Sequence, residues 1–405
     1  MTMKPRILIL MHYMELGGAE SALLGLLQSV DPARADVDVF IYSHRGELMK
    51  YMPTDKINLL PEVESYSLTE KPLSVVVKKG QWRLALARMK GRNNTSSFCE
   101  KNQDSDKPAE CGTFFQQRST WKVLPMIQPN VVYDLAISFM TPHFILLNNV
   151  RAKKKIGWIH TDYTRILIDV EAELEMWKEL DYIASISDEV GRRFCEVFPS
   201  LKDKLVPIEN ILNSKFIRCR ASEESITLDD DESVVNLLTI GRYSPPKKME
   251  EIPMICRKIL NRGVQIKWYI VGYGSWEIEN VVRENARQEG VADNIVLLGK
   301  KENPYPYIKA CDIYVQPSRY EGKSITVREA QILCKPVIIT NYPTAKSQVI
   351  DGVDGTIVPM EMDACAEAMV QFIRDKEKQM RIIKYLKAHD YGNESEIEKI
   401  YQLCE

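Results

Sequence analysis

The stretch from Cys311 to Leu333, CDIYVQPSRYEGKSITVREAQIL, contains a strand, a turn and a helix in that order. CDIYVQ (311–316) is a short apolar run, and Pro317-Ser318 closes it. Glu321-Gly322 makes a turn, and Ser324 is placed to cap a helix from about Ile325 to Cys334. The same unit recurs along the chain. In the second half, strands are predicted at 234–241, 265–272, 294–299, 311–316, 335–340 and 355–359. In the first half they are predicted at 6–10, 37–42, 131–138, 155–160, 182–187 and 204–212. Runs that are apolar throughout suit parallel strands covered on both faces, and helical stretches between them suit βαβ units. In the helix after the first strand, Ala19, Ala22, Leu23, Leu26, Leu27 and Val30 form one stripe, and Asp31-Pro32 ends it. The class expected is α/β, with two Rossmann-like doubly wound domains and ligands at the carboxyl ends of the strands.

With 405 residues, two domains are the natural count. The boundaries expected are 1–212, a hinge at 213–233, a second domain at 234–380, and a C-terminal helical segment, 381–405, packing back on the first domain. ASEESITLDDDES (221–233) is acidic and poor in large apolar residues, as an exposed linker or surface loop would be. The polar run 91–113 is expected to be a mobile insertion. A formal net charge of -2 argues against a nucleic-acid binder. The apolar run RILILMHYM is too short for a secretion leader, and no run reaches the ~18 residues of a membrane span. Nine cysteines without a CxxC pair suit reduced thiols, hence a cytoplasmic protein.

Four junctions carry residues suited to phosphate. MELGGAES (14–21) puts Gly17 and Gly18 at a helix start, where backbone approaches closely and the dipole favours an anion. TIGRYSPPKK (239–248) puts Gly241 after a strand and sets Arg242 and Lys247 five residues apart, able to converge on one diphosphate or to form a solvated basic loop. IVGYGS (270–275) carries Gly272 and Gly274. Glu277 stands where a dinucleotide fingerprint needs its third glycine, so a nicotinamide cofactor is not expected. In EGKSITVRE (321–329), the amides of Lys323, Ser324 and Ile325 open a helix and would cradle a phosphate beside Gly322. Glu321 and Glu329 would lie up to ~12 Å apart at a helical rise. That is too far to share a proton, and suits a sugar at one end and a ribose at the other.

These motifs resemble those of the retaining nucleotide-sugar glycosyltransferases of family 4, which have the GT-B fold with a cleft between two lobes. EGKSITVRE is similar to the family's Glu-x7-Glu motif, with Lys323-Ser324 in place of the usual Phe-Gly. GRYSPPKK is similar to its Gly-Arg…Lys-Gly segment, with Lys248 in place of the glycine. MELGGAE, GWIHTDY and VPIENILN resemble the first-strand loop, the sugar-contacting strand end and the hinge, where Asn213-Ser214 replaces Asn-Gly. The resemblance implies that Arg242 and Lys247 neutralise the donor diphosphate, Glu321 binds sugar hydroxyls and Glu329 the ribose. It implies that His160 orients the sugar, without a metal or other cofactor. The donor implied is a nucleoside-diphosphate sugar, with uridine the commonest base. The forms of GWIHTDY and EGKSI resemble those of bacterial capsule and exopolysaccharide transferases, which implies a glycan acceptor, lipid-linked if residues 71–94 meet a membrane.

Residues 71–94 carry Lys71, Lys78, Lys79, Arg83, Arg88, Lys90 and Arg92 with no acid, interleaved with apolar side chains. The segment fits an anionic membrane surface, or equally a solvated basic helix packed on its domain. The rival functions are a nucleotide-sugar epimerase and a non-catalytic sugar-nucleotide-binding protein of the same shape.

Overall fold

Strand-forming runs of Val, Ile and Leu dominate the two halves, and they assemble accordingly. The computed structural model describes residues 4–404, in which thirteen strands form two wholly parallel sheets. The strands are β1 (Arg6–Met11), β2 (Asp36–Ile41), β3 (Asn58–Leu59), β4 (Tyr133–Ser138), β5 (Ala152–Ile159), β6 (Tyr182–Ser185) and β7 (Leu205–Pro207) in one sheet, ordered β3-β2-β1-β4-β5-β6-β7. The other contains β8 (Val235–Ile240), β9 (Ile266–Val271), β10 (Ile295–Gly299), β11 (Ile313–Gln316), β12 (Val337–Thr340) and β13 (Thr356–Val358), ordered β10-β9-β8-β11-β12-β13.

In each sheet the winding reverses beside the first strand. Ile9 of β1 pairs with Val39 and with Ile137, and Leu238 of β8 pairs with Tyr269 and with Tyr314. Loops leaving β8 and β11 therefore emerge side by side, in the arrangement that opens a crevice at the carboxyl edge of a doubly wound sheet.

The second sheet shows why its strands are apolar throughout. Leu237, Trp268, Ile270, Ile313, Val315 and Ile338 fall in one buried cluster, and their neighbours Leu238, Tyr269, Val271, Tyr314, Val337 and Ile339 fall in another. Alternate residues point to opposite faces, and helices cover both. Each such side chain removed from water contributes about 1.5–3 kcal/mol.

Two compact units result. One comprises the chain up to Ile211 together with the stretch from Glu394, and the other runs from Leu212 to Asn393. Helices used below are α1 (Gly18–Gln28), α2 (Leu73–Lys78), α3 (Trp82–Lys101), α4 (Gly112–Thr120), α5 (Ile325–Ile332) and α6 (Ile397–Leu403). Helix α6 is fixed to the first unit. The Asp31 amide donates to the Tyr401 hydroxyl at 2.9 Å, the Arg34 guanidinium lies over the Tyr401 ring at 4.4 Å, and Lys399 donates to the Pro207 carbonyl at 2.9 Å. The acidic stretch 221–233 is irregular and is tied to the second sheet, where Lys267 reaches Asp229 at 2.7 Å and the Asn236 side-chain amide donates to the Asp229 carbonyl at 2.9 Å.

The sequence pattern needs four corrections. Residues 91–101 are not a mobile insertion but the second half of α3, which packs on α4 through Phe98 and Phe115, with ring centroids 5.6 Å apart. The strand expected at 204–212 is limited to Leu205–Pro207. Two-residue β3 carries too little periodicity to be read. In α1 the buried face includes Glu20 in place of Ala19, for a reason visible at the helix start.

Candidate functional site

Strand β8 ends at Ile240 and β11 at Gln316, and the loops that follow are bonded to each other. Arg319 is the principal fastener. Its amide donates to the Pro246 carbonyl at 2.8 Å, and its guanidinium bonds the Pro245 carbonyl at 2.8 Å and the Glu250 carboxylate at 2.7 Å. Within this frame Lys247 donates to Glu321 Oε1 at 2.7 Å. Ser318 donates to the same oxygen at 2.6 Å, and the Gln316 amide donates at 3.1 Å. Glu321 is 8 % exposed, so its oxygen must find its hydrogen-bond donors within the chain. All three converge on Oε1, which leaves Oε2 unclaimed among the described residues.

The turn after Glu321 holds one surprise. Ser324 stands at the N-cap of α5, but its hydroxyl makes no cap bond and instead meets the Thr326 hydroxyl at 3.1 Å. Its amide, expected to face a phosphate, donates to Gln348 Oε1 at 3.1 Å, and Gln348 Nε2 donates back to the Ser324 carbonyl. Both residues are buried, and buried backbone groups must be paired. Tyr342 braces the same Gln348 oxygen at 2.9 Å. The Ser324 amide is thus engaged within the chain. Gly322, Lys323 and Ile325 around it are half-buried at the surface of the turn.

Glu329 lies within α5 and shares no hydrogen bond with Glu321 among the described residues. It is 4 % exposed and accepts from the Tyr305 hydroxyl at 3.0 Å. Burial pushes its carboxyl up to about 7, and the tyrosine bond offsets part of that shift.

Arg242 is exposed on the β8 loop and makes no ion pair among the described residues. Gly272 is explained by packing. A Cβ on Gly272 would collide with the Gly241 carbonyl oxygen, and the Tyr243 amide donates to the Tyr273 carbonyl at 2.9 Å. The two strand-end loops lie backbone to backbone, which only glycine permits. Lys248 takes up the left-handed conformation, φ 57°, where the similar motif has glycine. Its buried Nζ offsets the strain by bonding the Met360 carbonyl at 2.5 Å and Glu251 at 2.9 Å.

In the first unit, Gly17 and Gly18 start α1 as expected. However, Glu20 folds back over Gly17, with its carboxyl carbon 2.9 Å from where a Gly17 Cβ would stand. A carboxylate of the chain itself occupies the helix start proposed for an anion, which accounts for its burial. His160 follows β5. Its Nε2–H donates to the Phe139 carbonyl at 2.8 Å, and its ring packs at 4.9 Å from Phe139. Desolvation lowers its pKa to about 4, so at neutral pH it is an uncharged imidazole that offers Nδ1 as an acceptor.

The pattern reading missed several partners. Gln316 and Ser318 hold Glu321, Gln348 takes the Ser324 amide, and Tyr305 holds Glu329. A signal for Gln316 was present, since it is the polar residue that ends the apolar run CDIYVQ. Also missed is a cluster after β1, where His12 meets Glu70 at 3.3 Å and Arg45 bonds Glu15 at 2.7 Å.

Among the described residues no helix is long and apolar enough to cross a membrane. Comparison with known proteins places this geometry. The family model described as "Glycosyl transferases group 1" matches residues 222–389. "Uncharacterized glycosyltransferase MJ1059" of Methanocaldococcus jannaschii is 25 % identical over 285 residues, 65 % of this chain and 68 % of that protein. "Capsular polysaccharide biosynthesis glycosyltransferase CapM" of Staphylococcus aureus is 30 % identical over 139 residues, 34 % of this chain and 36 % of that protein. Among solved structures, that of a single-site mutant of S. aureus TarM in complex with fondaparinux, alpha-GlcNAc-glycerol and UDP superimposes with a TM-score of 0.68 at 13 % identity, covering 99 % of each chain. These likenesses set aside the epimerase alternative. Residues 222–389 are a glycosyl transferases group 1 domain in a chain of the GT-B fold class, and the protein is a glycosyltransferase.

Proposed function

We propose that the protein transfers a sugar, with retention of its anomeric configuration, from a uridine-diphosphate sugar to a glycan acceptor of polysaccharide biosynthesis. The acceptor proposed is lipid-linked and is met at the cytoplasmic face of a membrane. The observation that carries the donor half is the convergence of Lys247, Ser318 and Gln316 on one oxygen of Glu321, at the point where the second sheet reverses its winding. UDP in the solved TarM complex and the polysaccharide name of CapM support the choice of donor and acceptor class.

In this proposal Arg242 and Lys247 face the diphosphate and stabilise the charge that grows as it leaves. Gly322, the start of α5 at Ile325 and the neighbouring Lys323 and Ser324 side chains line the phosphates. Glu321 Oε2 accepts from the sugar hydroxyls, and Glu329 is assigned to the ribose. His160 is assigned to orienting the sugar through Nδ1. The bond from C1 to the departing phosphate oxygen breaks. A bond from C1 to the acceptor oxygen forms on the same face, and the acceptor proton passes to the departing phosphate. Arg242 and Lys247 supply the cationic charge, so no metal is assigned a role, and activity is expected to survive EDTA.

The experiment is UDP release from UDP-sugars with and without a lipid-linked acceptor, followed by NMR of the product anomer. Acceptor-dependent release with an unchanged anomer is expected. An inverted product would overturn the retaining mechanism, and full activity in Glu321→Ala would overturn the site.

A further inference from the structure

Helix α3 presents apolar side chains on two opposite sides. Leu84, Ala85, Arg88 and Gly91 are buried against the rest of the first unit. The fit is close at Gly91, where a Cβ would come 2.8 Å from the Gln116 Cα of α4. On the far side, Trp82, Leu86 and Met89 are 61 %, 65 % and 50 % exposed. Their spacing of i, i+4 and i+7 places them in one row along the outward face. A solvated helix would carry polar residues there, so the packed-helix alternative leaves this row unexplained.

The charges around the row have one sign. Arg88 is the buried cation, and its guanidinium is taken up by the carbonyls of Leu68 and Lys71 at 2.8 and 2.5 Å. Lys79 pairs with Glu64 at 2.9 Å. Lys78, Arg83, Lys90 and Arg92 carry their charges without an ion pair among the described residues. No acid occurs from Lys71 to Asn94.

We propose that this face of α3, with the end of α2 beside it, docks the protein on an anionic lipid surface. Trp82, Leu86 and Met89 enter the boundary between headgroups and acyl chains, and the four unpaired cations meet the lipid phosphates. Charge selects this occupant. A second copy in a two-fold pair would bring the same cations face to face, whereas an anionic bilayer complements all of them at once. The inference rests on the proposed function only in naming the membrane as the place where a lipid-linked acceptor is met. Docking itself does not depend on transfer.

The test uses the full chain and vesicles of phosphatidylcholine with or without about one-third phosphatidylglycerol. Flotation with the anionic vesicles is expected. It should fall about tenfold or more with neutral vesicles, in 1 M salt, or in the triple variant Trp82→Ser, Leu86→Ser, Met89→Ser. The variant should keep its melting temperature and its thermal shift with UDP, since all three residues are exposed. No binding to anionic vesicles, or equal binding by the variant, overturns the proposal. So does a wild-type oligomer that the triple variant dissolves, with no vesicle binding by either. Loss of the UDP shift in both proteins with vesicle binding intact would count against the transferase reading alone.

Discussion

Lys247 and Glu321 stand on different strand-end loops, 74 residues apart in sequence, and their Nζ and Oε1 atoms are 2.7 Å apart. Neither has a full role alone. Lys247 is held at the edge of the site because Glu321 anchors it, and the buried Glu321 side chain takes its hydrogen bonds from Lys247, Ser318 and Gln316. Residues that act as a unit give non-additive losses. Lys247→Ala and Glu321→Ala are each expected to lower kcat/KM by about 10²–10³-fold. The double variant should lose little more than the worse single one. Losses that multiply in steady-state UDP-release kinetics would show that the two act independently.

Glu329 should leave a signature in stability against pH. Its folded-state pKa of about 7 exceeds the ordinary value of 4.5. Between these values the folded chain keeps a proton that the unfolded chain has lost. Stability is therefore expected to fall as pH rises through this window, with the full penalty present above it. Glu329→Gln should flatten that part of the profile, and the difference between the two melting curves isolates the residue. If Glu329 accepts from a ribose as a carboxylate, UDP affinity of the wild type should rise over the same window and that of Glu329→Gln should not. Calorimetric titration at about pH 5.5, within the window, and at about pH 8, above it, separates the cases.

Gly272 tests whether the second sheet's loops are held by backbone contact. A methyl group there meets the Gly241 carbonyl oxygen, which belongs to a strand end and cannot rotate away as a side chain can. Gly272→Ala is expected to cost at least ~1–3 kcal/mol, the usual range for overpacking. It should shift the β8 loop that carries Arg242 and Lys247, so UDP binding should weaken along with the denaturant midpoint. A variant of wild-type midpoint would remove the contact from the account of the site.

Lys248 poses a choice between two effects. Replacing it with glycine relieves a left-handed residue, a gain of about 1–2 kcal/mol. The change also removes two bonds from a buried ammonium, each worth about 1.5–3 kcal/mol. Glu251, one of the partners, keeps Arg319 at 2.5 Å and is not stranded. The losses outweigh the gain, so Lys248→Gly should be mildly destabilising, despite glycine's place in the similar motif. A stabilised variant, read by urea unfolding, would mean the Nζ bonds contribute little.

The fold was legible because it is written in short-range pattern. Every strand expected in the second half occurs, and in the first half only β3 went unread, since continuous Val, Ile and Leu runs have few other uses. The long α3 was misread at its polar end because Asn93, Asn94, Thr95 and Ser96 are weak helix formers, and tertiary packing through Phe98 overrides that preference. At the site, Lys247 and Glu321 were legible as motif members and do meet. The bonds that set their chemistry were not, because Gln348 lies 24 residues from Ser324 and Tyr305 lies 24 from Glu329. Such pairings follow from three-dimensional closure, which no local spacing encodes. Gly17 and Gly18 were read correctly as a helix start, but Glu20, two residues on, supplies the negative charge that a ligand was expected to bring.

The course of the chain between the units constrains how the molecule is made. Asp31 and Arg34 near the start rely on Tyr401, which lies beyond the whole of the second unit. Domains usually mature in order of emergence from the ribosome. Here the first sheet must wait, with the surface beneath α6 uncovered, until the second unit has been translated. The earlier-born half is thus the later one to be finished, because the segment that completes it follows the second unit in the chain.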